Sequence, residues 1–241
     1  MKTEILKKIK EIEKEENIKI IFLIESGSRA WGWESKDSDF DIRGVFIQDY
    51  NKFEKEKEQV NKLLGKLDIE LWDLKKFLRL LVKSNPSVWE WLSSDIKYMD
   101  NELFTELKNI YGKSFSKYKL ERHYLSMAKQ NFEKYIDKNR NVNLKKYIYV
   151  LRSIACINFI ERNKSPPPKN YKDVIEYLPE DIQIFFKKII KDKINSESEE
   201  GNKDREVDNY ITSFWNKDFE KDKDSFNVQN LNDIFKKLLK I

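Results

Sequence analysis

The chain has 241 residues, 39% of them hydrophobic and 13% aromatic, which is enough to bury a core and excludes a disordered chain. Charged residues make up 37%, above the ~25% of an average globular domain, and the formal net charge of +5 permits nucleic-acid binding without requiring it. One cysteine, Cys156, and one histidine, His123, exclude an intramolecular disulfide and any metal site built from several cysteines or histidines.

Helix and strand patterns alternate over the first hundred residues. Ile5, Ile9 and Ile12 lie at helical spacing and predict a charged N-terminal helix that ends near Asn17. The β-branched run and the apolar alternations that follow predict three strands, over 18–24, 39–47 and 67–72. A short helix over 28–34 and a polar excursion over 49–62 separate them.

Helical spacing dominates the rest of the chain. An amphipathic helix over 74–82 stops at Ser84-Asn85-Pro86, because proline disfavours helical geometry in the residue before it. Further helices are predicted over 87–92, 102–111, 116–138, 143–162, 179–194 and 227–240, and exposed loops or frayed helix ends over 191–209 and 216–224. The pattern predicts an α+β fold, with a small α/β unit over 1–100 and a helical domain over 101–241.

Membrane insertion is not expected from this sequence. No run approaches the ~18 apolar residues of a membrane span, and the first 16 residues are charged throughout, unlike a signal peptide. We therefore expect a cytoplasmic protein without a membrane partner.

The segment that joins the first two predicted strands contains a Gly-Ser turn. Gly27-Ser28 ends a strand and begins a short helix, so its backbone N–H groups point to whatever lies at the helix start. Glycine lets a ligand approach the backbone closely, and the serine hydroxyl adds a donor. This turn is a natural phosphate seat.

Two carboxylates follow the turn at a fixed spacing. Asp39 and Asp41 are two residues apart on a predicted strand, so their side chains share one face of the sheet. Adjacent carboxylates are costly unless a cation lies between them, and oxygen ligands favour Mg²⁺ or Mn²⁺. Asp68 or Glu70, both on the polar face of the third strand, would supply a third carboxylate. A phosphate seat beside such a set suits two-metal phosphoryl or nucleotidyl transfer.

These residues resemble a known signature. Glu25-Ser-Gly-Ser-Arg-Ala-Trp-Gly32, followed by Ser38-Asp-Phe-Asp-Ile-Arg43, resembles the DNA polymerase β nucleotidyltransferase superfamily. Within it, the string is similar to the YcgL-type branch, also called the RNA-repair-pathway polymerase β family. The resemblance covers about residues 20–170 and continues through 67–76, 83–93, 145–156 and the prolines at 166–168.

The resemblance implies a small mixed-sheet nucleotidyltransferase palm and an enzyme that transfers a nucleoside monophosphate from an NTP to an acceptor hydroxyl. The acceptor would be a nucleic-acid end, RNA rather than DNA, in RNA repair. Asp39, Asp41 and, in preference to Glu70, Asp68 would bind the catalytic Mg²⁺ or Mn²⁺. NTP binding would involve the Gly-Ser turn, nearby arginines and a clamp on the helical domain, namely Gly27, Ser28, Arg29, Arg43, Lys145 and Arg152.

Several alternatives remain open from the sequence. The acceptor would instead be a small molecule or a protein side chain, or the chain would be a non-catalytic regulatory module, such as an antitoxin-like partner. Arg43 would pair with a carboxylate rather than bind phosphate. For Cys156, and for the tryptophans at 31, 33, 72, 89 and 91, packing is the simpler expectation than chemistry or base stacking.

Overall fold

A computed structural model describes residues 1–50, 56–137, 141–195, 200–222, 231–232 and 236. They group into two compact units, the first from residues 1–30, 38–115 and the C-terminal segment after 223, the second from residues 31–37 and 116–223. These units are spatial groupings, and the domain boundary predicted at residue 100 stays a prediction. The α+β class predicted from the sequence is confirmed.

A five-stranded mixed sheet forms the centre of the first unit. Its strands are β1 Lys19–Glu25, β2 Phe40–Ile47, β3 Gln59–Leu64, β4 Leu67–Asp73 and β5 Lys97–Met99, in the order β3-β4-β2-β1-β5. The β2–β4 pair is parallel and the other pairs are antiparallel. The three predicted strands are the central ones. The polar excursion predicted over 49–62 was wrong in part, since β3 begins within it.

Helices cover both faces of this sheet. On one face, α1 Lys2–Glu16 packs Ile5, Ile9 and Ile12 against apolar side chains of β1, β2 and β4. The opposite face is covered by α3 Leu74–Val82, α4 Pro86–Leu92 and α5 Glu102–Ser114. Side chains of Asp73, Asn85 and Asn101 accept backbone N–H groups at the starts of these helices, which is ordinary N-capping.

The second unit is largely helical. It contains α6 Lys117–Phe132, a π-helical segment Glu133–Asp137, α7 Lys145–Asn163, α8 Tyr171–Ile175, α9 Glu180–Ile194 and α10 Arg205–Thr212, with a small antiparallel pair of β6 Asn141–Asn143 and β7 Glu200–Asn202. The predicted helices over 116–138, 143–162 and 179–194 are confirmed within a few residues at each end. The exposed loop predicted over 191–209 was wrong in part, because α10 begins there and buries Val207 and Ile211.

Two further expectations from the sequence concern the C-terminal helix and membrane-spanning helices. The helix predicted over 227–240 lies mostly outside the described residues. Among the helices that the structure describes, none combines the length and the apolar character needed to cross a membrane.

Glu121, on α6, is a fully buried carboxyl within the second unit. The Lys117 ammonium lies 3.5 Å from its Oε1 atom. Burial raises the pKa of Glu121 from 4.5 to about 7; the Lys117 and Lys164 charges oppose the rise and Glu161 adds to it. The folded protein therefore holds a proton that the unfolded chain releases above its lower pKa.

We expect stability to fall by roughly 1–3 kcal/mol as the pH rises from 5 to 8, because the raised folded-state pKa makes ionisation costly only in the folded state. Glu121→Gln removes this carboxyl, so the fall shrinks and the melting temperature at pH 8 rises by about 2–6 °C. Denaturant unfolding at several pH values measures both. The exposed Glu133→Gln variant is the control and keeps the wild-type slope; an equal slope in Glu121→Gln would contradict the assignment.

Candidate active site

The parallel pairing of β2 with β4 brings the two central aspartates together. Asp41 is in register with Asp68, and Arg43 with Glu70, so four charged side chains lie on one face of adjacent strands. This is the sheet face that carries α3, α4 and α5 further along the strands. Asp41 and Asp68 are part-exposed, with 24% and 46% of their side-chain surface accessible, as a site open to ligand requires.

Gly27 lies directly against Asp41. The Ser26 N–H donates to the Asp41 carbonyl oxygen over 2.8 Å, which fixes the turn beside β2. At Gly27, where α2 Gly27–Trp31 begins, φ is +57°, and an added Cβ would lie 1.8 Å from Asp41 Oδ2. Only glycine fits this conformation and this approach. The predicted phosphate seat, Gly27-Ser28, therefore adjoins the predicted carboxylate.

Glu25 accepts a hydrogen bond from the backbone of Asp41. It is fully buried at the end of β1, and its Oε1 atom accepts the Asp41 N–H over 2.7 Å. Its Oε2 atom accepts the Tyr98 hydroxyl. Burial raises the pKa of Glu25, and these two hydrogen bonds oppose the rise. Glu25 belongs to the sequence signature, but no role was predicted for it. The signal that could have found it is a carboxylate directly after five apolar residues of a strand.

The Asp41 carboxyl is electrostatically strained. Burial raises its pKa above the usual range, the Arg43 charge lowers it, and the neighbouring carboxylates of Asp68 and Asp39 raise it further. Two negative neighbours around a half-buried carboxylate are stable only with cations close by. Asp39 itself is exposed and immediately precedes β2.

Arg43 supplies a cation to this cluster. One of its guanidinium nitrogens lies 3.1 Å from Asp41 Oδ1 and 2.9 Å from Asp68 Oδ2. A second nitrogen donates to the carbonyl oxygens of Asp68 and Ile42, and Nε lies 3.6 Å from Glu70. Of the two interpretations of Arg43, these contacts are those of the ion pair. Phosphate binding by Arg43 stays a prediction.

Glu70 and Arg29 are each held by neighbours. Glu70 Oε1 accepts the Trp72 indole N–H over 2.7 Å, beside its contact with Arg43. The Arg29 guanidinium donates to the carbonyl oxygens of Ser38 and Asp39 and lies 4.0 Å from the centre of the Phe40 ring. Arg29 thereby braces the segment that leads into β2, and its role toward a triphosphate stays a prediction.

The two clamp candidates lie on α7, in the second unit. The Lys145 backbone N–H donates to the Asn143 side chain over 3.0 Å. Arg152 is only 4% exposed; it donates to the Lys169 carbonyl oxygen and stacks 4.7 Å from the Trp31 ring centre. Their action on a nucleotide stays a prediction.

Cys156, Trp72 and Trp33 are buried. Cys156 is buried and makes no disulfide. Trp72 stacks on Trp91, with ring centres 4.0 Å apart, within the apolar core of the first unit. Trp33 is 1% exposed and packs against Trp31 and Tyr171 in the second unit. These tryptophans are packing residues, as expected.

The fit of a divalent cation rests on the donor chemistry of the cluster. Asp41 and Asp68 present oxygen atoms to one shared nitrogen, so a single positive charge serves both. Oxygen donors of this kind suit Mg²⁺ or Mn²⁺. Within the described ranges, no three Asp, Glu, His or Cys side chains are already arranged around one metal position. The donors therefore fit in kind, and metal binding belongs to the proposal below.

This arrangement of a mixed sheet, paired aspartates and a Gly-Ser turn is the one that the sequence resemblance implied for nucleotidyltransferases. The comparison with protein families agrees. The model of RlaP, the RNA repair pathway DNA polymerase beta family, matches residues 1–235. The chain belongs to this family.

Relatives and solved structures share parts of this chain. The uncharacterized protein YcgL of Bacillus subtilis is 39% identical over 185 residues, covering 74% of this chain and 70% of that protein. The uncharacterized protein MJ0002 of Methanocaldococcus jannaschii is 35% identical over 148 residues, 57% of this chain and 60% of that protein. The crystal structure of a nucleotidyltransferase-like protein from Exiguobacterium sibiricum matches 82% of this chain and 69% of its own chain at 14% identity, with a TM-score of 0.32.

Proposed function

We propose that the protein is a metal-dependent nucleotidyltransferase that moves a nucleoside monophosphate from an NTP to the hydroxyl of an RNA end, as a step of RNA repair. The observation that carries the proposal is the contact of Gly27 with Asp41 beside Asp68, in the register of β2 and β4. Family membership supports the same class of reaction.

The reaction forms one bond and breaks another. The acceptor oxygen forms a bond to the α-phosphorus. The bond between that phosphorus and the oxygen that bridges the α- and β-phosphates breaks, and pyrophosphate leaves. Asp39, Asp41 and Asp68 would hold the divalent cations, which supply the positive charge that phosphoryl transfer requires. Asp68, the more exposed of the two paired aspartates, is the candidate that takes the hydroxyl proton.

The residues of the chain itself position the nucleotide. The backbone of Gly27 and the hydroxyl of Ser28 would bind the triphosphate, because Gly27 has no side chain to separate its backbone from Asp41. Glu25 holds the Asp41 backbone in place, and Arg43 balances the carboxylates. Arg29, Lys145 and Arg152 are further candidates for contacts with the phosphates.

The test follows a radioactive nucleotide. Each α-³²P-labelled NTP is incubated with Mg²⁺ or Mn²⁺ and with RNA, a DNA oligonucleotide or no added acceptor. We expect label on RNA, lost by at least a thousandfold in the Asp39→Ala/Asp41→Ala double variant, whose circular dichroism remains that of the wild type. Label on the protein itself, or on DNA alone, would overturn the RNA acceptor. NTP turnover equal in wild type and double variant would overturn the site.

A further inference from the structure

A row of alternating cations and aromatic rings lies within the second unit. Tyr135, in the π-helical segment, contacts two lysines: the Lys134 ammonium is 4.9 Å and the Lys146 ammonium 4.2 Å from its ring centre. Lys146 also lies 5.5 Å from the ring centre of Tyr149, one turn further along α7. A hydrogen bond from Lys134 and the charge of Lys146 lower the pKa of the Tyr135 hydroxyl.

The row continues past Tyr149. The Trp31 ring meets Tyr149 edge to face, with centres 5.8 Å apart, and Arg152 stacks on Trp31. We call these six residues the cation–aromatic row: Lys134, Tyr135, Lys146, Tyr149, Trp31 and Arg152. The three aromatic residues are half-buried, so part of each remains accessible to solvent.

The two lysines of this row, Lys134 and Lys146, differ from most other lysines that cover an aromatic ring. Elsewhere in the described part of the chain, three lysines that cover an aromatic ring also pair with a carboxylate: Lys75 with Glu56, Lys97 with Asp100 and Lys217 with Glu161. A fourth, Lys76 over Trp72, donates to the side chain of Gln59 instead. In the described part of the chain, neither Lys134 nor Lys146 forms an ion pair with a carboxylate. Glu133, the neighbour of Lys134, lies instead 3.9 Å from Lys129. Two ammonium groups thus share one ring with no carboxylate partner among the residues that the structure describes.

A single-stranded nucleic acid supplies what this surface lacks. Its phosphates carry the negative charge, and its bases have flat faces that stack on exposed aromatic rings. From Lys134 through Tyr135 and Lys146 to Tyr149, a cation alternates with a ring, as phosphate alternates with base along a strand. Tyr135 lies in a π-helical turn. Such turns are rare in proteins overall, but those that occur are frequently found at functional sites.

We infer that the cation–aromatic row binds the single-stranded acceptor strand, with Lys134 and Lys146 on its phosphates and Tyr135 and Tyr149 on its bases. That the bound strand is the acceptor of the transfer reaction rests on the proposed function. That a single strand binds to this row does not. An NTP also carries a base and phosphates and could bind to the same side chains. The experiment therefore distinguishes a single-stranded RNA from an NTP.

Binding is measured by fluorescence anisotropy with a labelled 12-nucleotide single-stranded RNA, without NTP or metal. The Asp39→Ala/Asp41→Ala protein serves as background, so failure of the transfer reaction does not affect the outcome. We expect Lys146→Ala to weaken binding at least fivefold and to reduce the salt dependence by about one phosphate contact. Tyr135→Ala weakens it about five- to a hundredfold, whereas Tyr135→Phe, which keeps the ring, stays within twofold.

Lys75→Ala is the matched control, because it removes another lysine that covers a tyrosine; its affinity for RNA stays within twofold of the background protein. Wild-type affinity in both Lys146→Ala and Tyr135→Ala overturns the inference. So does competitive displacement of the RNA by ATP with an inhibition constant equal to the dissociation constant of ATP, which would make the row a nucleotide-binding site.

Discussion

Replacing Gly27 with alanine is expected to remove nucleotidyl transfer almost completely, by a hundredfold or more. The added Cβ would lie 1.8 Å from Asp41 Oδ2, so either the turn or the carboxylate must move. A φ of +57° adds about 1–2 kcal/mol of backbone strain for any residue with a Cβ. We expect the free energy of unfolding to fall by roughly 2–4 kcal/mol in all. Denaturant unfolding and the labelled-NTP assay measure the two effects.

Gly65→Ala separates strain from steric conflict. Gly65 also has a positive φ, +62°, but nothing lies within 4 Å of a Cβ added there. This variant should show only the backbone strain and keep full activity. If Gly27→Ala were as stable and as active as Gly65→Ala, the close approach of the turn to Asp41 would not exist in solution.

Replacing Arg43 with methionine is expected to destabilise the protein by roughly 2–4 kcal/mol at pH 8, since it leaves part-buried carboxylates without their cation. Arg43 now contacts Asp41 and Asp68 through one nitrogen. Its charge is also the largest factor that lowers the Asp41 pKa. Without it, that pKa rises further above the value of 3.8 that we take for the unfolded chain.

The sign of the pH dependence follows from this shift. A carboxyl with a raised folded-state pKa contributes stability at low pH that is lost as the pH rises through that pKa. The gap in unfolding free energy between wild type and Arg43→Met should therefore widen from pH 5 to pH 8. Arg79→Met, which breaks the exposed pair with Glu58, should leave stability unchanged at both pH values. A gap independent of pH would show that Arg43 does not act through the carboxylates.

The sequence predicted the strands that are buried and missed those that are not. β1 buries six of its seven residues, and the first five of these form an unbroken apolar run. β3 buries only Val60, so its composition is that of a loop and its pairing with β4 is a matter of tertiary structure. In the same way α10, a short amphipathic helix with two buried residues, lies in a stretch whose overall composition is polar.

The site residues that lie within a local sequence pattern were predictable, whereas the contacts that depend on strand pairing were not. Gly27, Asp41 and Asp68 were identified from turn chemistry, alternation and family resemblance, and the register of β2 with β4 brings the two aspartates together. The contacts of Arg43 with both aspartates required that register, which no local pattern contains. Glu25 was equally hidden, because its partner Tyr98 follows 73 residues later in the chain.

The segment between the Gly-Ser turn and the first aspartate has a consequence for synthesis. Residues 31–37 belong to the second unit, although residues on both sides of them belong to the first. Trp31 and Trp33 pack against Tyr149 and Tyr171, which the ribosome adds more than a hundred residues later. All five strands of the central sheet are synthesised by residue 99. Trp31 and Trp33 therefore remain without Tyr149 and Tyr171 until those residues are synthesised. We expect a chain that ends after residue 115 to expose both rings and therefore to aggregate.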